Sequence, residues 1–194
     1  MLQANEREEI ARLWARKLEQ DEKKLPQLQR HRNLEPDSAE FICALASGIR
    51  AKGLIEIGGS SGLSTIALAV AARLTGGRLT SFEIEETRQQ EARGTLAKLN
   101  LSQYVNFILG DAGNFLRSQP AVDFVLIDCE KDDYVRFFEM LPLHPGTVVV
   151  ADNILSHRLT EYVRYVRGRA DIESITLPIG KGLEVSRVRE EKLN

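Results

Sequence analysis

Hydrophobic positions along the chain change their period from segment to segment. Between residues 4 and 24, Ile10, Leu13, Trp14 and Leu18 recur at i, i+3, i+4 and i+8 among charged neighbours. That spacing draws one apolar stripe on a helix, packed on the body of the domain. Pro36-Asp37-Ser38 opens a second helix that runs through Phe41, Ile42 and Leu45. Beyond residue 50, short β-rich runs alternate with helical patterns: LIEIG (54–58), a helix over 62–74, RLTSFEI (78–84), a helix over 85–99, VNFILG (105–110) and a short helix near 113–118. VDFVLID (122–128), a helix over 132–140, GTVVVAD (146–152) and a helix over 157–168 follow. The last two runs, ESITLPIG and GLEVSRV, meet at Gly180-Lys181 and predict an antiparallel hairpin at the sheet edge. Alternation of strands with helices is the pattern of a parallel sheet covered by helices. An α/β fold with five parallel strands and a closing hairpin is therefore expected.

Composition narrows this picture only a little. At 194 residues and 43% hydrophobic, the chain suits one well-packed domain and is short for two. A formal net charge of -2 gives no general basic excess that would make nucleic acid the main partner. Cys43 and Cys129 stand far apart, in no metal or redox spacing. The first 24 residues are charged throughout, and nowhere do eighteen apolar residues run together, so a soluble cytoplasmic protein is expected.

In an open parallel sheet, ligands sit beyond the carboxyl ends of the strands, where the strand order reverses. The first such end is EIGGSSGLS, Glu56 to Ser64. Gly58, Gly59 and Gly62 let the backbone turn tightly and approach a ligand, although Ser60 stands where a dinucleotide fingerprint has its second glycine. Alone, this is as readily a tight connection. Glu83, ending the next strand about twenty residues on, adds a carboxylate able to accept from ribose hydroxyls, and the two together point to a nucleoside-containing cofactor. Asp111, after the third strand, either reads an adenine amino group or caps the helix that begins there. Asp128 ends the fourth strand, and Asp152 and Asn153 end the fifth. Neighbouring strands lie about 5 Å apart, so two carboxylates and an amide oxygen can converge. Three such donors suit a hard divalent cation such as magnesium, which also removes the repulsion between the carboxylates.

The pieces LIEIGGSSGLSTIALA, TSFEIEE, ILGDA, DFVLIDCEKDDY, GTVVVADNILSH and LPIGKGLEVSR, in that order across residues 33–188, resemble the catechol O-methyltransferase-like family. These S-adenosyl-L-methionine (SAM)-dependent O-methyltransferases also include the caffeoyl-CoA O-methyltransferases and many bacterial members. The resemblance implies a Rossmann-like class I SAM-methyltransferase fold: a seven-stranded mixed sheet in the order 3-2-1-4-5-7-6, helices on both faces, the last-numbered strand antiparallel. It implies one methyltransferase domain over 1–194, with 1–50 forming helices over the site and 51–194 the Rossmann-like core. It further implies that Glu56, Gly58, Gly59, Ser60, Gly62 and Ser64 lie along SAM, joined there by Asp128. Glu83 would hold the ribose, and Asp111 and Ala112 would border the adenine. Asp128, Asp152 and Asn153 match the family's metal ligands, magnesium or another divalent ion, and Lys131 matches its catalytic lysine in a D-x-x-K pattern.

The residue types make chemical sense together. Methyl transfer from a sulfonium is an in-line displacement that needs an electron-rich oxygen. A divalent ion chelated by two adjacent hydroxyls lowers their pKa and fixes their position. Lys131, close to the metal ligand Asp128, then takes the remaining proton as general base where its own pKa is depressed. The plainer alternatives are a solvated lysine at a helix start and a polar turn at Asp152-Asn153. The expected acceptor is a small catechol-like or vicinal-diol aromatic molecule, and a homodimer is common among such relatives. The N-terminal region looks short, and no long insertion precedes the hairpin; both regions build the acceptor pocket in such enzymes. Ala112 replaces a polar residue of some members. Cys129 reads as a filler of the adenine pocket rather than a reactive thiol, and His157 as a loop or cap residue rather than a fourth ligand. Two other functions stay open. One is O-methylation of hydroxyuridine in tRNA, with QRHR (29–32), Arg164, Arg167 and Arg169 contacting phosphates. The other is a non-catalytic or NAD-type nucleotide-binding protein, against which the D-x-x-K and A-D-N pieces weigh.

Overall fold

The computed structural model describes residues 1–26, 30–156 and 159–190. Two helices, α1 (Ala4–Glu22) and α2 (Pro36–Gly48), precede the alternation. Then follow β1 (Gly53–Ile57), α3 (Leu63–Thr75), β2 (Arg78–Glu83), α4 (Glu86–Lys98), β3 (Val105–Leu109) and β4 (Phe124–Ile127). The chain continues through α5 (Tyr134–Met140), β5 (Val148–Ala151), α6 (Thr160–Gly168), β6 (Ile172–Leu177) and β7 (Leu183–Val188). The sheet order is β3-β2-β1-β4-β5-β7-β6. Strands β1 to β5 pair in parallel, while β7 runs antiparallel to both β5 and β6. This is the order that the family resemblance implies.

Strand alternation builds the layers. Leu54, Phe124, Leu126, Val148 and Val150 point to the core beneath α1, α2 and α3. Their neighbours Ile55, Val125, Ile127, Val149 and Ala151 point to the opposite core, beneath α5 and α6. Strands buried on both faces read as continuous apolar runs, as VLI and VVVA do here. Helix α3 is buried from Leu63 through Ala72, because α2 covers the side that does not face the sheet. Helix α1 is anchored at its start by the buried Glu6, which accepts from Arg73 Nη1 at 2.6 Å and from the Gln3 backbone N–H at 2.6 Å.

Two local expectations change. The short helix near 113–118 is two 3-10 turns, Ala112–Asn114 and Leu116–Ser118, separated at Phe115, whose φ of -126° leaves the helical region. The helix expected over 132–140 begins as a 3-10 turn, Lys131–Asp133, before α5. The closing hairpin keeps the expected place, with β6 at the sheet edge and β7 between it and β5. Its connection spans residues 178–182 and is tied inward, since Leu155 and Ile154 donate N–H groups to Lys181 O and Gly182 O, each at 3.0 Å. Among the described residues no helix is long and apolar enough to cross a membrane.

Candidate active site

Register places the site. Ile57 pairs with both Phe82 and Ile127, and Ile127 with Ala151. The residues that follow, Gly58, Glu83, Asp128 and Asp152, therefore emerge side by side at the carboxyl edge. Strand order reverses between β1 and β4, which is where an α/β sheet opens a crevice.

The turn after β1 is compressed against β4. Gly58 has φ +97°, and a Cβ there would stand 2.8 Å from the Asp128 carbonyl carbon and closer still to its oxygen. Ser60 also adopts a left-handed conformation, φ +45°. Its N–H donates to Glu83 Oε2 at 2.7 Å, and its hydroxyl accepts from the Arg32 backbone N–H at 3.1 Å. The other Glu83 oxygen accepts from the Ile84 and Glu85 N–H groups, each at 2.9 Å. Three backbone donors thus fix the carboxylate that closes β2. Gly58, Ser60, Glu83, Asp111, Ala112 and Asp128 all border a cavity of about 280 Å³, with Ile57, Phe82, Ile84 and Phe137 as apolar walls.

Glu56, Gly59, Gly62 and Ser64 stand behind this wall and shape it. Glu56 is fully buried; Oε2 accepts from Thr65 at 2.7 Å and Ser81 at 2.5 Å, while Oε1 has no partner. Burial raises its pKa, against hydrogen bonds from Ser64, Ser81 and Thr65. Asp111 caps the following turn, accepting from Gly113 N–H at 2.7 Å and from Arg136 Nη2 at 2.9 Å. The Arg136 hydrogen bond holds its carboxyl below the usual range. Of the two alternatives for Asp111, the cap is made. Cys129 borders the same cavity, and burial pushes its thiol up, which suits a filler rather than a nucleophile.

On the other side of Asp128 lie the remaining ligand candidates. Asn153, held at φ +65°, donates Nδ2 to Asp128 Oδ1 and to Asp152 Oδ2, each at 2.8 Å. Asp152 Oδ1 is buried without a partner. Burial and the Asp128 charge push Asp152 up to about 8, and burial raises Asp128 as well. Two carboxylates crowded in this way, one with an orphaned oxygen, fit a divalent cation. No group of three or more His, Cys, Asp or Glu side chains able to hold a metal occurs among the described residues. A third donor would be the Asn153 amide, which would present Oδ1 after a half-turn of its side chain.

Lys131 Nζ lies 3.9 Å from Asp128 Oδ1 and donates to Cys129 O at 3.2 Å and Tyr134 Oη at 3.4 Å. Burial lowers its pKa. Tyr134, buried, donates in turn to Asp152 O at 3.2 Å. A second cavity, about 320 Å³, opens over this cluster; Asp128 and Arg32 border both cavities.

Lys17, Asp21 and Lys181 escaped the sequence reading as site residues, whereas Arg30 and His31 enter it only within QRHR. Lys17 and Asp21 come from α1, Arg30 and His31 from the segment after it, and Lys181 from the hairpin loop. Lys181 sits within the quoted LPIGKGLEVSR piece, which was its only signal; Lys17 and Asp21 gave only the i, i+4 pairing of any charged helix face. Four of the five arginines considered for phosphate contact are engaged: Arg167 with Glu184, Arg169 with Asp171, Arg30 with Asp21 and Arg32 with Glu130. His157 and Gln29 lie outside the described residues.

Residues 28–193 match the model of a family described as "Protein of unknown function (DUF1442)". The chain is 28% identical over 130 residues to a catechol O-methyltransferase of Niastella koreensis, covering 63% of this chain and 58% of that protein. It is 31% identical over 120 residues to a catechol O-methyltransferase of Mycobacterium tuberculosis, covering 60% and 54%. The matches thus span between half and three-fifths of these two relatives' lengths. A solved structure of the O-methyltransferase TomG from Streptomyces achromogenes, in complex with SAM, superposes with a TM-score of 0.78 at 24% identity over 92% of this chain and 89% of that one. Likeness at that identity shows the fold.

Proposed function

The chain belongs to the DUF1442 family, and from its two joined cavities we propose that it is a SAM-dependent, divalent-metal-dependent O-methyltransferase acting on a vicinal diol. One observation carries the reading: a nucleoside-sized cavity and a polar cavity share a wall at Asp128, and Lys131 stands on the polar side of it. The catechol O-methyltransferase relatives support the reaction class.

Phe82, Ile84 and Phe137 would flank the adenine, Glu83 would accept from the ribose, and Gly58 would let the cofactor lie against bare backbone. SAM supplies an electrophilic methyl group. A divalent ion held by Asp128, Asp152 and Asn153 would supply Lewis-acid activation of two adjacent hydroxyls. Lys131 Nζ then accepts the proton of the hydroxyl to be methylated, as burial favours the neutral amine. The acceptor oxygen forms its bond to the methyl carbon as the sulfur–methyl bond breaks, and S-adenosylhomocysteine leaves. Tyr134 and the Cys129 carbonyl hold Nζ in place through the hydrogen bonds already made. The apolar walls of the cofactor cavity keep water from the sulfonium.

The test is transfer of labelled methyl from SAM to 3,4-dihydroxyphenyl compounds and to unmodified tRNA, with magnesium and with chelator. Magnesium-dependent label in the diol is expected. Label in the RNA alone would overturn the small-molecule reading, and chelator-resistant transfer by Asp152→Ala would remove the metal from it.

A further inference from the structure

We propose that the acceptor is an anion, a small diol bearing a carboxylate or phosphate that Lys17 and Arg30 hold at the end of the cavity away from Lys131. This rests on the methyltransferase reading and adds to it the chemical class of the acceptor.

Ligand pockets are mostly apolar, with a few polar groups fixing orientation. The cofactor cavity follows that rule; the acceptor cavity departs from it, since its described lining offers apolar surface only on the His31 ring and on lysine and arginine stems. A bare aromatic ring would find little there to bury against. Five lining residues carry lysine or arginine side chains against three carboxylates, and the charge is unevenly spread. At the strand ends Lys131 faces both Asp128 and Asp152, so acids outnumber cations. On the α1 side Lys17 Nζ at 2.7 Å and Arg30 Nη1 at 3.2 Å share the single carboxylate of Asp21. The remaining two cations have carboxylates of their own outside the lining: Lys181 with Glu35 at 2.9 Å, and Arg32 with Glu130. His31 adds no unmatched charge: burial lowers its pKa, and its Nε2 lies 3.0 Å from the Glu91 carboxylate. One positive charge is thus left over at the Lys17–Arg30 wall.

That charge is also poorly hydrated. The Lys17 side chain is only 12% exposed, and its ammonium stacks over the Trp14 ring at 4.7 Å. A part-buried ammonium holding half a share of one carboxylate gains from a second anion that completes it. The cavity is therefore polarised, acidic where hydroxyls and a cation would meet and basic where an anionic substituent would rest. An acceptor with a diol at one end and an anion at the other satisfies both ends.

The experiment compares 3,4-dihydroxybenzoate and 3,4-dihydroxybenzyl phosphate with the neutral methyl ester of the former, by kcat/KM and by calorimetric Kd in the presence of S-adenosylhomocysteine without added metal. At least one anion is expected to exceed the ester by about tenfold in both measures, as a charge-assisted hydrogen bond would give; which anion does so tells carboxylate from phosphate. In Lys17→Gln and Arg30→Gln the ratio should fall toward one, and in Lys17→Arg it should persist. Equal kcat/KM and Kd for anions and ester would overturn the anion site and leave the methyltransferase reading intact. Tighter, Lys17-dependent binding of an anion with no methylation of any diol would support the anion site and sink the methyltransferase reading. Label entering RNA but none of the three compounds would overturn the small-anion acceptor.

Discussion

Gly58 is where strand order, cofactor approach and the shared wall come together, so Gly58→Ala is the sharpest structural test. The substitution adds one methyl group in a backbone conformation with φ +97°, where it would press on the Asp128 carbonyl at 2.8 Å or less. The left-handed conformation alone costs a non-glycine residue about 1–2 kcal/mol. Forcing β1 and β4 apart to admit the methyl adds about 1–3 kcal/mol, by analogy with overpacked cores. The sum, about 2–5 kcal/mol, corresponds to a fall in Tm of roughly 5–15 °C for a chain of this length. Thermal and urea unfolding would measure it, with Gly48→Ala as control. Gly48 ends α2 and has nothing within 4 Å of its Cβ position, so that variant should stay within about 1 kcal/mol of the parent, on the stabilising side. SAM affinity should drop at least tenfold in Gly58→Ala, because the carbonyl that moves belongs to the wall of the cofactor cavity. Unchanged Tm together with unchanged SAM binding would refute the close approach at the switch point.

Lys131→Ala should lower kcat by about 10²–10⁴-fold while leaving the Kd for SAM within a factor of three; loss of SAM binding instead would mark the lysine as structural. His31, buried with its pKa lowered by desolvation, is harder to protonate folded than unfolded. Stability should therefore be complete above the ordinary histidine range and be lost as pH falls below about 6.5. His31→Gln should flatten that part of a Tm-against-pH curve, and an unchanged slope would assign it to other groups. Asp152→Ala should abolish magnesium-dependent transfer, and a titration with Mn²⁺ followed by electron paramagnetic resonance should lose its bound signal.

Much of this architecture was legible because it depends on periodicity and on strand ends. Asp128 and Asp152 could be brought together on paper, since parallel neighbours in register deliver their carboxyl-terminal residues to one edge. Asn153 came with them, but not its amide bridging both carboxylates, which depends on a φ of +65° that no pattern announces. The segment at 113–118 looked helical because Ala112, Phe115 and Leu116 are apolar at i, i+3 and i+4, a signal that cannot tell an α-helix from successive 3-10 turns. Lys181 reaches the site through a chain of causes invisible in sequence: β7 inserts beside β5, and backbone bonds from Ile154 and Leu155 fix the loop. Lys17 was hidden by the stripe beside it. The pattern of α1 told which face packs, and nothing in it said that the flanking charges overlook a cavity.

Asp128 and Arg32 belong to both cavities, and this common wall ties the two occupants thermodynamically. Whatever the first ligand does to the wall changes the affinity of the second by some factor, and the second must change the first by the same factor. Order of addition is then a kinetic question only. On the proposed reaction, a product that lingers in one chamber would also retune the other, and product inhibition should respond to substitution of these two side chains.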